Sequence, residues 1–357
     1  MKKRAMRKHF LLTKIFSLLL LASAAGCGQP APLPTATLTS APATATPANT
    51  ATPKATYTTT ATSTATAIPS TATPTPTPTP VYFSGAGDIA ICGQEGDDLT
   101  AALLRDRVGS GLYFIAGDAS NEDGSLYEYQ NCFEPSWGQL VPDLRVVPGN
   151  HDYHSNPLEN FWLYFDGVAG EPGKGWYSFE HGGWHIVMLN SNCGYVGCGP
   201  SSEQIAWLKD DLANSSSACT LAVWHHPRFN SGFAGNAEWL HYFWEALHDH
   251  GADVVVTGHD HHYERIAKVD PMGRPQDPGG IRSFIVGTGG AGFYAIDKIL
   301  PISEVRITRQ FGIIQFEFFP DGYTWQFINV DGELLDQGSD ACNPKPALSE
   351  VDQLDGS

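Results

Sequence analysis

The chain has 357 residues, enough for one large domain or two domains of ordinary size. Its 38 acidic residues outnumber its 21 basic ones, which gives a formal net charge of −17. Because nucleic-acid backbones are bound through Lys and Arg, this charge argues against nucleic acid as a structural partner.

The first 26 residues have the pattern of an export signal. Six basic residues without an acidic one lead into the apolar run Ile15–Ala22, and small residues then precede Cys27. Since this run is too short to span a membrane well, we interpret residues 1–26 as a signal peptide. The ending Gly26-Cys27 is similar to a bacterial lipobox, whose cysteine carries a lipid anchor, although Ala24 stands where that pattern favours an aliphatic residue. The alternative is plain secretion with Cys27 as an incidental thiol.

Residues 27–80 are almost entirely Thr, Ala, Pro and Ser, and they end in Thr-Pro repeats. Such a composition has no apolar core to bury, so we expect a disordered, extended linker with a reach on the order of 160 Å at roughly 3.1 Å per residue. Without the six basic residues of the signal, 15 basic and 38 acidic residues remain, a formal charge of −23. The predicted protein is therefore an acidic domain, residues 81–342, on a stalk at the cell surface or facing the periplasm, followed by a tail, 343–357.

Six cysteines follow Cys27, and an even number in an exported chain indicates three disulfides. Cys193 and Cys198 form the most local pair. Elimination then suggests Cys92–Cys132 and Cys219–Cys342, although six cysteines allow 15 pairings. Zinc binding is the competing interpretation, and the spacings lack the paired CxxC pattern typical of it.

Apolar strand-like runs alternate with helical patterns from Val81 to Thr257, which is typical of a layered α/β architecture. Three successive runs end in glycine followed by a metal-capable side chain. They are Val81–Ala86 before Gly87-Asp88, Leu112–Ala116 before Gly117-Asp118, and Leu144–Val147 before Pro148-Gly149-Asn150-His151-Asp152. Ligand sites of open α/β sheets lie beyond the carboxyl ends of strands, so three such endings indicate a site rather than turns.

The later elements continue this pattern. Helices are expected at Leu99–Val108, Glu203–Leu212 and Glu238–His250, and a hairpin is expected around His181-Gly182-Gly183. Two more strands deliver histidines: Thr220–Trp224 precedes His225-His226, and Asp253–Thr257 precedes Gly258-His259-Asp260-His261. A β-rich end follows, with strands at 281–286, 303–308, 312–319 and 323–329. One domain is the economical interpretation.

Metal-ligand residue types collect at these strand ends: Asp88, Asp118, Asn150, His151, His225, His259 and His261. Carboxylate and amide oxygens mixed with imidazoles suit first-row metals such as Fe, Mn, Zn or Co better than Ca²⁺. The sequence therefore predicts a site for two transition-metal ions.

In order and in form, these motifs resemble the calcineurin-like metallophosphoesterase superfamily, and Gly258–Arg265 is similar to the GHxHxYER ending of its purple acid phosphatase branch. The resemblance implies a four-layer α/β/β/α sandwich of two mixed sheets flanked by helices. It also implies hydrolysis of phosphate esters by a metal-activated hydroxide at a dinuclear centre of divalent or trivalent ions. In this scheme Asp118 bridges the metals, and His151 is the outer catalytic acid. Asp88 and His261 hold the first metal; Asn150, His225 and His259 hold the second.

Two positions depart from the relatives. Many of them have histidine where Ala90 stands, and the purple branch instead has tyrosine where Asn121 stands. Three roles are open for Asn121: coordination through its amide oxygen, coordination replaced by a water, or orientation of His151. Without tyrosinate a stable purple Fe(III) centre is not expected. The alternative function is therefore a surface lipoprotein whose partly degraded site binds phosphate or a partner without turnover. Candidate substrate contacts are Arg228, His154 and His226.

Overall fold

A computed structural model describes residues 80–108, 111–156 and 158–346. The predicted signal peptide, the lipidation candidate Cys27, nearly all of the linker and residues 347–357 lie outside the described residues. Within the described ranges, the helices are all too short or too polar to cross a membrane.

The first sheet has six strands in the order β13-β12-β11-β1-β2-β3. One half is parallel, β1 to β2 to the edge strand β3, and the later strands join it antiparallel through the pairing of β11 with β1. The strands are β1 (Val81–Ala86), β2 (Leu112–Ala116), β3 (Leu144–Val147), β11 (Gly312–Phe319), β12 (Gly322–Asn329) and β13 (Leu334–Ala341).

The second sheet has seven strands in the order β10-β8-β9-β7-β6-β5-β4. Strands β5, β6, β7 and β9 are parallel neighbours, and antiparallel strands close both edges. The strands are β4 (Tyr177–His181), β5 (Trp184–Met188), β6 (Cys219–Val223), β7 (Val254–Thr257), β8 (Tyr263–Val269), β9 (Ile281–Val286) and β10 (Ser303–Ile307).

The α-helices in the described part of the chain are α1 (Gly96–Leu103), α2 (Leu126–Glu128), α3 (Glu159–Tyr164), α4 (Cys193–Val196), α5 (Glu203–Asn214) and α6 (His241–Asp249). Helix α5 starts as its sequence predicts, because the Ser202 hydroxyl accepts a hydrogen bond from the backbone N–H of Ile205. The expected helix at 238–250 divides into a 3₁₀ turn, Glu238–Leu240, followed by α6.

Strand β7 shows how the layers form. Val254 and Val256 face a core built from the inner surfaces of both sheets, whereas Val255 packs with α5 and α6 on the opposite surface. This alternation follows from the two-residue period of a strand. Phe284 of β9 and Phe316 of β11 meet across the two sheets with their rings 5.5 Å apart. The predicted sandwich of two mixed sheets with flanking helices is confirmed.

Several boundaries differ from the expectation. The helix expected at Leu99–Val108 begins at Gly96 and becomes a π-helical turn at Leu104. Strands β8 and β13 were not expected; β8 begins at Tyr263, the tyrosine of the GHxHxYER motif. The disulfides Cys92–Cys132, Cys193–Cys198 and Cys219–Cys342 are all present. Asn343 and Lys345, assigned to the tail, hydrogen-bond the domain at Asp253 and Thr220.

Candidate metal centre

The predicted ligands lie where the parallel strands of both sheets end. Asp88, Asp118 and Asn150 follow β1, β2 and β3 of the first sheet, and His225 and His259 follow β6 and β7 of the second. Close contacts bring the two sets together: the backbone N–H of His259 donates to Asp88 at 2.7 Å, and His225 contacts both Asp118 and Asn150. One cluster therefore draws on both sheets.

His225 is at the centre of the residues predicted to hold the second metal, Asn150, His225 and His259, which we call the second-metal group. Its Nε2 lies 3.0 Å from Asn150 Oδ1, 3.1 Å from Asp118 Oδ2 and 3.2 Å from His259 Nδ1. Its Nδ1 is 2.8 Å from the Ala116 carbonyl, so the Nδ1 proton is donated there and Nε2 is the nitrogen that faces the cluster. Oxygen and imidazole nitrogen atoms thus converge on one point, which fits a transition-metal ion.

Asp88 and His261, which are predicted to hold the first metal and which we call the first-metal group, also lie together. His261 Nε2 lies 3.3 Å from Asp88 Oδ1, and both side chains are buried. The His261 ring stacks on Tyr294 with 3.9 Å between ring centres. The Asn121 amide lies 3.2 Å from Asp88 Oδ1 and 3.4 Å from Asp118 Oδ2, so it contacts both carboxylates. Asn121 therefore occupies the position between the two aspartates at this group.

Three of the candidate ligands have a left-handed backbone: Asp88 (φ 60°), Asp118 (φ 53°) and His259 (φ 70°). Each such residue costs of order 1–3 kcal/mol and persists only where its surroundings hold it. Two neighbouring positions require glycine, because a side chain at either one would collide with a candidate ligand. A Cβ added at Gly149 would lie 2.0 Å from Asp118 Oδ1, and one at Gly117 would lie 2.4 Å from the His225 ring. Backbone strain and close packing are concentrated at the cluster, as is typical of functional sites.

Opposing electrostatic effects act on these groups. Burial raises the pKa of Asp118, but the nearby His225, His151 and His259 outweigh it and lower that pKa below its usual value. Burial lowers the pKa of His225, but Asp118 outweighs it and raises that pKa to about 9. Burial and His225 lower the pKa of His259 to about 4. The strong coupling of a carboxylate with several imidazoles at one point is a property expected of a metal-binding or catalytic site.

His151 lies at the open side of the cluster. Its backbone N–H donates to Asp118 Oδ1 at 2.8 Å, and its Nδ1 lies 2.8 Å from the Glu122 carbonyl. The ring Nε2 is 3.9 Å from Asp118 Oδ2, and a quarter of the side chain is exposed. His151 can therefore exchange a proton with a substrate that reaches the cluster from solvent.

The three predicted substrate contacts have different surroundings. The His154 ring lies 4.8 Å from that of His151. The His226 ring lies 4.4 Å from that of His259, and its Nδ1 is 2.8 Å from the Ser191 hydroxyl. Arg228 is buried, and its Nη1 lies 2.6 Å from a Glu238 carboxylate oxygen. His154 and His226 thus adjoin the cluster, whereas the charge of Arg228 is paired within the protein.

Ligand-type atoms lie within 4.8 Å of one another in three groups of the described residues: Asp88, Asp118 and His225; His225, His226 and His259; and Cys219, Asp253 and Cys342. The third contains a disulfide, so its sulfurs are already bonded. The second includes His226, which we did not predict as a ligand because His225 matches the position in the family motif. The sequence does not indicate that His226 lies close to His259.

Two supporting residues were also missed. Asp152 is buried, and its Oδ2 accepts from the backbone N–H groups of Asp118 (3.0 Å) and Gly149 (2.8 Å). It closes the Gly-Asn-His-Asp motif, so the sequence offered a signal for it. Tyr294, the residue stacked on His261, lies in a loop without any recognisable motif.

Comparison with known proteins leads to the same family that the motifs of this chain resemble. Residues 86–263 match the family model described as calcineurin-like phosphoesterase. Purple acid phosphatase 15 of Arabidopsis thaliana is 33% identical over 46% of this chain and 32% of its own length. Purple acid phosphatase 18 of the same plant is 30% identical over 59% of this chain and 50% of its own length. The chain thus spans half or less of the length of these relatives.

Two solved structures share the fold. The purple acid phosphatase PPD1 from yellow lupin (Lupinus luteus) seeds has a TM-score of 0.62 at 16% identity and covers 76% of this chain and 55% of its own. GAP50, described as the anchor in the inner membrane complex of Plasmodium, has a TM-score of 0.57 at 18% identity and covers 77% of this chain and 93% of its own. Residues 86–263, the segment that matches the family model, contain every predicted metal ligand. The two solved structures share the two-sheet sandwich. The chain therefore carries a calcineurin-like phosphoesterase domain and belongs to that family.

Proposed function

We propose that this protein is an exported phosphatase that hydrolyses phosphate esters at a dinuclear metal centre. The observation that carries the proposal is the convergence of the Asp118 and Asn150 oxygens, from the first sheet, with the His225 and His259 imidazoles, from the second. Two bound cations supply charge stabilisation for an in-line displacement and lower the pKa of a water molecule. Phosphoryl transfer needs little covalent help from a protein, so positioning and charge are the main contributions.

The residues of this chain have separate parts in the proposed reaction. Asn150, His225 and His259 would hold the second metal, Asp88 and His261 would hold the first, and Asp118 would contribute its carboxylate to both. His151 gives a proton to the departing oxygen, or stabilises its charge, from the open side of the cluster. Its Nδ1 is fixed by the Glu122 carbonyl, which leaves Nε2 to face the substrate. Asn121 stands at the sequence position of the tyrosine ligand of the purple relatives, and it contacts both Asp88 and Asp118.

Metal analysis combined with ester hydrolysis tests the proposal. The protein is saturated in turn with Fe, Mn and Zn, dialysed and analysed for metal content. Each form is then assayed with p-nitrophenyl phosphate and its bis ester. We expect about two metals per chain in at least one form and turnover of at least one ester by that form. Fewer than two metals together with no turnover would favour the alternative, a surface protein that binds phosphate or a partner.

We also propose that lipid on Cys27 anchors the protein to the membrane. The small residues before Cys27 and the polar linker after it support this placement. The full chain and its Cys27→Ser variant are expressed in a bacterium that processes lipoproteins, and membrane and soluble fractions are compared. The full chain is expected in the membrane fraction and the variant outside it. Equal distribution of the two would mean that the protein is simply secreted.

A further inference from the structure

A cleft of about 280 Å³ adjoins the second-metal group. It is lined by residues 191–195, His226 and Trp239. Because the His226 ring lies 4.4 Å from His259, a phosphate at the metals would place its ester group within reach of this cleft. Its volume is just below the range of about 300–1,000 Å³ usual for ligand pockets, so it suits one small ring system.

Tyr195 forms one wall of the cleft and is held firmly. It lies on α4, and the Cys193–Cys198 disulfide joins the first residue of this helix to the segment just after its end. One face of its ring stacks on buried Tyr153, with ring centres 4.1 Å apart and planes inclined by 21°. The Tyr195 side chain is nevertheless 61% exposed, so the stack leaves much of its aromatic surface open to a ligand. A rigid aromatic surface loses little entropy when it binds.

Trp239 forms another wall. It lies in the turn Glu238–Leu240, which buried Leu240 fixes to the domain, and Trp239 itself is 54% exposed. Its ring meets His226 edge to face, with 6.0 Å between ring centres. One exposed aromatic residue is ordinary on a protein surface, but two around one cleft beside a reaction centre indicate a binding site.

We propose that this cleft binds the leaving group of the substrate and selects planar aromatic ones. The inference rests on the proposed phosphatase function and adds a substrate class to it: aryl phosphates and nucleoside monophosphates rather than glycerol or sugar phosphates. Aromatic rings favour stacking with planar groups. The residues lining the cleft include neither Lys nor Arg, so its occupant is an uncharged ring while the phosphate lies at the metals.

The test compares KM and kcat for three monoesters: p-nitrophenyl phosphate, adenosine 5′-monophosphate and glycerol phosphate. Each variant is compared with the wild-type chain on the same ester, which cancels differences in leaving-group reactivity. We expect Trp239→Ala and Tyr195→Ala to raise KM about fivefold or more for the aromatic esters and less than twofold for glycerol phosphate. A rise for only one of the two aromatic esters identifies the aryl or the nucleoside group as the one bound. Trp239→Phe keeps the stacking surface and is expected to stay near wild type.

Tyr242→Ala is the matched control, because Tyr242 is an exposed aromatic residue on the adjacent helix α6. Equal effects of the cleft variants on all three esters, or no effect on any, would overturn the proposal. If no ester is hydrolysed, the proposed function fails, but the cleft remains testable through tryptophan fluorescence. Titration of the metal-loaded chain with phenylphosphonate should then quench emission saturably, and Trp239→Phe should remove that quench. Absence of a saturable quench would count against the cleft itself.

Discussion

Asp118 joins the parts of the site through both its side chain and its backbone. Its carboxylate accepts a hydrogen bond from the His151 N–H and contacts His225, while its own N–H donates to Asp152. Asp152 also accepts from Gly149, so one buried carboxylate connects the loops after β2 and β3. Burial, with a further contribution from Asp118, raises the pKa of Asp152 to about 7. Asp152 therefore holds the backbone of Asp118 in place, while the Asp118 carboxylate oxygens face His151 and His225.

His151 gives the first prediction at this scale. Its ring is a quarter exposed and 3.9 Å from Asp118, which suits proton transfer rather than a ligand role. His151→Ala should lower kcat for p-nitrophenyl phosphate at least about tenfold, since a general acid contributes roughly 10²–10⁴ in rate. Metal content, measured on the same preparations, should match wild type. Unchanged activity would remove His151 from the mechanism.

Asn121 gives the second prediction at the residue scale. The shorter of its two contacts is to Asp88, so its removal should disturb the first-metal group more than His225 and His259. Asn121→Ala is expected to weaken binding of one metal about 10–100-fold, as loss of a supporting contact typically does, and to weaken binding of the other less. Isothermal titration of the metal-free protein measures both affinities. Asn214→Ala, on the exposed end of α5, serves as the control. Equal weakening of both metals would contradict the assignment of Asn121 to one group.

Among the elements, predictability followed the strength of the local pattern. Strands β1, β9 and β11 match the expected bounds, because their β-branched and aromatic residues favour a strand. Strand β13 was missed because its sequence, Leu334–Ala341, is mostly polar and each of its residues is exposed or half-buried. It is defined by backbone pairing with β12, which composition does not reveal.

How well the site could be predicted also depended on the strength of the local sequence pattern. Each predicted ligand follows a strand that its own apolar run makes recognisable, so order along the chain was enough to group them. Contacts that depend on packing between distant segments were not predictable. His226 approaches His259, and Tyr294 stacks on His261, because of how loops fold over the strand ends. Such loops have no repeating pattern from which a contact could be inferred.

His185 on β5 supports a prediction about pH, at a position remote from the metal ligands. Its nitrogens lie 2.8 Å from Glu180 on β4 and 2.7 Å from Asp211 on α5, so it joins three elements. Burial lowers the pKa of His185, but the two carboxylates outweigh it and raise that pKa above 6.5. A raised folded-state pKa means that the stabilisation is complete below about pH 6.5 and is lost as the pH rises through the folded value.

His185→Gln should therefore lower the melting temperature most near pH 5.5, where the imidazole is protonated and its partners are ionised. The difference from wild type should shrink steadily toward pH 9. Thermal unfolding followed by circular dichroism at five or six pH values measures this. His250→Gln is the control, because its Nδ1 bonds a backbone carbonyl rather than a carboxylate. A difference that grows with pH would reverse the assigned sign.

At the scale of the whole molecule, the site depends on the two sheets keeping a fixed position relative to each other. Asp88, Asp118 and Asn150 come from one sheet and His225 and His259 from the other, so a relative shift would separate the ligands. The apolar core between the sheets resists such a shift. A covalent link adds to it: Cys219 begins β6 of the second sheet, and Cys342 directly follows β13 of the first.

This link gives the last prediction. The Cys219–Cys342 disulfide spans 123 residues, whereas Cys193–Cys198 spans five. Because a longer closed loop restricts the unfolded chain more, the Cys219→Ala/Cys342→Ala pair should lower the free energy of unfolding by about 5 kcal/mol, and the Cys193→Ala/Cys198→Ala pair by about 2 kcal/mol. Urea unfolding of both double variants, with metal content measured on the folded proteins, tests this ordering. A larger loss from the five-residue loop would mean that the long disulfide adds little to the attachment of one sheet to the other.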